Sequence, residues 1–96
     1  MSRIILNKEG IYNIYSTEAD APILKKGISL KQLKAFIQDQ CGKKGLEKLP
    51  KRLERCHSKG TSRIGSENLS ETILRNRAGE NDEFLPETEF IEKYLS

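Results

Sequence analysis

Two short clusters of β-branched and aromatic residues, divided by a polar stretch, mark the first sixteen residues. Ile4 and Leu6, then Ile11, Tyr12, Ile14 and Tyr15, are apolar and mostly β-branched or aromatic. Between them stands the polar stretch Asn7-Lys8-Glu9-Gly10, whose glycine can take positive φ, so the pattern predicts a β-hairpin. Tyr12 and Ile14 should share one face, with Ile11 and Tyr15 on the other. After a polar loop from Ser16 to Ala21, Pro22-Ile23-Leu24 reads as a short edge strand, a place that tolerates proline.

The spacing then changes to steps of three and four. Leu30, Leu33, Phe36, Ile37 and Cys41 form one helical stripe, opened by Ser29 as N-cap with Gln32 at capping-box spacing. Gly42 stands where a left-handed residue would end this helix. A second helix is predicted from Leu49 to His57, with Pro50 in its first turn and Leu46, Leu49, Leu53 and Cys56 turned inward. A loop from Ser58 to Gly65 follows. Ser66 is the expected cap of a third helix, with Leu69, Ile73 and Leu74 facing inward and Gly79 as its stop. Beyond the acidic loop Glu80 to Glu83, Pro86 opens a last helix with Phe90, Ile91, Tyr94 and Leu95 on its apolar side. The expected fold is a single α+β domain over 1–96: an N-terminal β-hairpin, with a third short strand, packed with three to four short α-helices.

Charge adds what periodicity does not. The overall balance is only +3, yet from Lys25 to Arg63 twelve Lys/Arg face three carboxylates, and from Ile64 to Ser96 three face eight. Lys43, Lys44, Lys48, Lys51, Arg52, Arg55, Lys59 and Arg63 form a basic strip of the kind that attracts phosphates or acidic protein surfaces. Ser58-Lys59-Gly60-Thr61-Ser62-Arg63 adds hydroxyl and amide donors suited to phosphate. Asp82, Glu83, Glu87 and Glu89 make an acidic counterpart that could dock a basic partner. The strip could equally solvate outer helix faces or pair with the acidic third of the same chain. A helix-turn-helix is a poor match, because Ser58 to Gly65 exceeds its short turn. No aromatic residues interleave the strip to stack bases.

Reactive chemistry is sparse. Cys56 and His57 are helical neighbours about 100° apart, which does not aim an imidazole at a thiol. His57 reads as a helix-end or solvated residue, and Cys41 and Cys56 as reduced, half-buried core thiols. None of the three has a partner at zinc-ligand spacing. The acidic run lacks the ordering of a calcium loop, and no glycine precedes a phosphate-loop Lys-Ser/Thr. No metal, cofactor or catalytic residue is expected. The longest apolar run is Ile4-Ile5-Leu6, far below the roughly 20 residues of a spanning helix. The N-terminus turns polar too soon for a signal peptide, so a cytoplasmic protein is expected.

The stretches Ile4-Ile5-Leu6-Asn7-Lys8-Glu9-Gly10-Ile11-Tyr12-Asn13-Ile14-Tyr15 and Asn76-Arg77-Ala78-Gly79-Glu80-Asn81-Asp82-Glu83-Phe84-Leu85 give the chain a format that resembles small orphan accessory proteins of phages and mobile elements. That resemblance implies a non-enzymatic inhibitor or modulator of host machinery, host-defence complexes included, and assigns no residue a role. The leading expectation is a binder of a protein or nucleoprotein partner through its polarised charge. The alternative is direct DNA or RNA binding by the strip 43–63, and a free hairpin edge could build a homodimer.

Overall fold

A computed structural model of the protein describes residues 3–96. Met1 and Ser2, at the start of the expected hairpin, lie outside the described residues. Strands β1 (Arg3–Lys8) and β2 (Ile11–Ser16) pair antiparallel from Arg3↔Ser16 to Lys8↔Ile11. The two-residue turn between them has φ of 52° at Glu9 and 84° at Gly10. Positive φ at both positions matches the right-handed twist of the strands, the geometry glycine makes accessible.

The third strand is shorter and earlier than its sequence suggests: β3 covers Ala21–Pro22, paired with β2. The cause is Asn13, a buried side chain that captures the following backbone. Its amide donates to the carbonyls of Leu24 (3.2 Å), Lys26 (3.3 Å) and Tyr94 (2.8 Å). Its oxygen accepts from the amides of Ile14 and Leu24. The chain therefore leaves the sheet around Asn13 and rejoins β2 at Ile28, which exchanges both backbone bonds with Tyr12. On the opposite side, Gly60 and Ser62 bond β1 at Asn7 and Ile5. Backbone groups on both hairpin edges are thus paired within the chain.

Helix α1 (Leu30–Lys59) opens on the expected capping box at Ser29 and Gln32. At Gly42 (φ 64°, ψ −157°) it leaves helical geometry and resumes at once. A straight helix of this length would reach about 45 Å, beyond the molecule's 36 Å long axis; the kink folds it against the sheet. Two expectations need correction. Gly42 does separate two helical limbs, but its ψ is not left-handed-helical and the second limb resumes at once instead of at Leu49, so Pro50 sits inside that limb, on its exposed side.

Helix α2 (Leu69–Ile73) starts from Asn68, not Ser66, because Asn68 forms a complete capping box with Glu71. It stops well before Gly79, and Leu74 is exposed instead of buried. Buried Asn76 explains the early stop. Its amide bonds the carbonyls of Ile73 and Leu85, and its oxygen accepts from Ala78 and Leu85, pinning the long connection. A 3₁₀ turn (Glu80–Asp82) and α3 (Glu87–Tyr94), opened by Pro86 as expected, complete the chain.

Strand alternation divides the core into two layers. Ile5, Tyr12 and Ile14 pack with Leu33, Ile37, Leu49 and Cys56 of α1. Leu6 and Tyr15 pack with Ile73, Phe90 and Leu95 of the α2–α3 side. The fold is α+β as expected, with a three-stranded sheet between a long kinked helix and two short ones.

Candidate functional site

The positions that carry charge follow this layering. Helix α1, on one face of the sheet, has nine Lys/Arg against Asp39, Glu47 and Glu54. The chain from Leu69 onward, which supplies the other face, has seven carboxylates against Arg75, Arg77 and Lys93. With the sheet between them the layers stand about 20 Å apart, well beyond the screening length of physiological salt.

On the α1 side, Lys44, Lys48, Arg52 and Arg55 recur at steps of four, four and three, which puts them on one helical face. Arg3 from β1 and Arg63 from the segment after α1 join them around a cleft of about 580 Å³. Its apolar lining is Ile4, Ile14, Phe36 and Ile37, with Ile64 at the rim, 82% exposed. Among the described residues, no carboxylate lines it.

The guanidinium groups are held by backbone oxygens. Arg52 donates to the Arg3 carbonyl at 3.3 Å and Arg55 Nε to that of Ser62 at 2.7 Å. Burial disfavours the Arg52 cation and lowers its pKa from the usual arginine value, yet arginine stays charged in proteins. Among the described residues, both ion pairs run through Glu67, to Arg63 at 3.7 Å and to Arg75. The hydrogen bond from Arg75 is the main reason the Glu67 pKa falls to about 2, with the bond from Thr72 and the Arg63 charge assisting against burial. Lys44 and Lys48 are exposed and engage no described residue.

The expected strip is therefore only partly one site. Lys44, Lys48, Arg52, Arg55 and Arg63 meet in the cleft. Lys43 and Lys51 are exposed outside its lining. Lys59 is turned to structure, its ammonium bonding the carbonyls of Arg63 and Gly65. Arg3 and Ile64 escaped sequence reasoning because they reach the cleft from other segments, and Phe36, read as part of the core stripe, sits half-buried on the cleft instead. On the acidic side, Glu83 and Glu89 share a shallow groove with Glu80, Glu92 and the half-exposed Phe84. Asp82 and Glu87 lie beside it, exposed.

The candidate reactive residues do not converge. Cys56 is buried, donates to the Ile5 carbonyl at 3.0 Å, and is pushed by burial up to about 12. Cys41, expected half-buried, is exposed on the cleft wall. His57 Nε2 hydrogen-bonds the Tyr12 hydroxyl at 2.7 Å, and burial raises the pKa of that phenol. Among the described residues, no cluster of His, Cys, Asp or Glu could hold a metal ion. No described helix is long and apolar enough to cross a membrane.

The cleft thus offers anion recognition with an apolar component. No family model matches the chain, and neither the curated proteins nor the solved structures give a match.

Proposed function

We propose that the protein is a non-catalytic binding protein that docks a protein partner, alone or within a nucleoprotein complex, in the basic cleft. The partner presents a segment in which carboxylates and apolar side chains are mixed. The observation that carries this reading is that, among the described residues, six cations line one cleft together with the half-buried Phe36 and the exposed Ile64. Arginines fixed by backbone oxygens lose little freedom on pairing with a carboxylate, and a partly desolvated pair is worth more than one in open water. Phe36 and Ile64 would gain from apolar contact and nothing from a phosphate backbone. Together with the resemblance to phage accessory proteins, this favours a modulator that occupies a host surface.

Direct nucleic-acid binding is the second reading, supported by the exposed Lys44 and Lys48 with Lys43 and Lys51 nearby. Phe36, half-buried, is the one aromatic in the cleft, a small base for stacking. Fluorescence anisotropy separates the readings with three labelled probes: a peptide alternating Glu and Leu, a Glu-only peptide and an oligothymidylate. The Glu/Leu peptide should bind tightest, and Lys44→Gln with Lys48→Gln should weaken it by about tenfold. Tightest binding to the oligothymidylate, falling linearly with salt on logarithmic axes, would transfer the proposal to nucleic acid.

A further inference from the structure

The chain carries a segment with the chemistry its own cleft would accept. In Glu80-Asn81-Asp82-Glu83-Phe84-Leu85, three carboxylates precede an aromatic side chain that is 50% exposed. The segment is held in shape. Gly79 N–H donates to the Glu83 carbonyl at 2.9 Å, and Asn76 anchors both backbone groups of Leu85. Asn81 and Asp82 have φ of 55° and 59°, so the chain turns sharply and presents the carboxylates outward. Phe84 gains nothing from facing water, and within this chain the sheet separates it from the cleft.

We infer that the occupant complementary to the cleft is a second copy of this chain, docking its Glu80–Leu85 segment head-to-tail. This rests on the cleft reading above and adds the identity of a partner. Glu80 and Glu83 would meet Lys44 and Lys48, while Phe84 covers Phe36 and Ile64. Donor segment and acceptor cleft belong to opposite layers, so the contact is heterologous: each docked copy leaves one cleft and one segment free, and the assembly grows as an open chain instead of closing as a symmetric pair. One loop in one cleft is a small interface, so association is weak, salt-sensitive and dependent on concentration. It would also compete with any outside partner for the cleft.

Sedimentation velocity on the full chain tests this with two variants altered only at exposed positions. In the first, Lys44→Gln and Lys48→Gln disable the cleft; in the second, Glu80→Gln, Glu83→Gln and Phe84→Ala disable the segment. The native chain at low salt should gain mass with concentration and lose this at high salt, and each variant alone should associate about tenfold more weakly. Mixing the variants should give one-to-one pairs and nothing larger, because one sound segment meets one sound cleft. A native chain that stays monomeric at millimolar protein and low salt, or a mixture no larger than its components, overturns the inference. If that native chain still binds the Glu/Leu peptide, the cleft reading survives alone; if it binds neither, both fall.

Discussion

At the residue scale, Asn13 sets the shape of the sheet's second edge by satisfying five backbone groups from inside the protein. Removing it leaves buried carbonyls and amides without partners. Asn13→Ala should therefore cost about 2–3 kcal/mol in urea unfolding. Asn13→Asp is the sharper test, because a carboxylate would face three carbonyls. Its folded-state pKa would be raised, so this variant should regain stability as pH falls from 7 towards 4. A pH-independent Asn13→Asp defect would show that the carbonyls do not converge on this site. The cysteines give a second test. Cys56, buried and held protonated to about pH 12, should react with a disulfide reagent only on unfolding, whereas exposed Cys41 reacts in the native state. Two rapidly labelled thiols in native protein would contradict the core around Ile5 and Cys56.

At the element scale, the kink in α1 depends on two glycines for different reasons. Gly42 has φ of 64° with nothing within 4 Å of a built Cβ, so only backbone conformation demands glycine. Gly42→Ala should cost about 1–3 kcal/mol, because φ 64° with ψ −157° is a region essentially confined to glycine. At Gly45 space decides: a Cβ would stand 2.4 Å from that of Cys41 and 3.1 Å from Ile37 Cγ2. Gly45→Ala must force the limbs apart and should cost about 1–3 kcal/mol despite alanine's better helix propensity. It should also accelerate labelling of Cys41; unchanged stability and labelling would mean the limbs are not closely packed. The kink also shows what sequence can convey. Gly42 announced a break, but a positive-φ residue looks the same whether the chain stops or resumes. Pro50, a residue suited to a first turn, therefore stands inside the second limb instead. Ser66 and Asn68 are both competent caps, and the choice fell to Asn68 because Glu71 stands three residues on to complete its box. Leu74 continued an apolar stripe, and only the distant Leu85, bonded through Asn76, ends that helix. The hairpin and the Ser29 and Pro86 starts were legible because local chemistry alone decides them. On the site side, Lys44, Lys48, Arg52 and Arg55 were legible as a helical face, whereas Arg3 and Ile64 enter through contacts far apart in sequence.

At the scale of the whole molecule, the separation of charge across the sheet makes pH a selective probe. At neutral pH, fourteen carboxylates nearly balance seventeen Lys/Arg, although the carboxylates lie largely apart from α1. Acid neutralises them, Asp39, Glu47 and Glu54 within α1 included, and so leaves the basic layer to repel itself. Glu67 adds a local contribution, since it ties Arg63, beyond the end of α1, to Arg75, beyond α2. Its pKa is depressed in the folded state, from 4.5 to about 2, so the folded protein holds fewer protons than the unfolded chain. The resulting stability is fully present above pH 4.5 and is lost as pH falls through the interval down to about 2. With the exposed Arg75 partner discounted for solvent screening, this amounts to about 1 kcal/mol. Urea midpoints should therefore stay level from pH 7 to 5 and fall below that, more steeply at low salt because screening relieves repulsion within α1. Glu67→Gln should lower the plateau by about 1 kcal/mol and flatten the decline, leaving the salt-dependent part that belongs to the charge layers. A native curve level down to pH 2, or a Glu67→Gln curve parallel to it, would refute the Glu67 clasp. A decline indifferent to salt would refute the separation of charge.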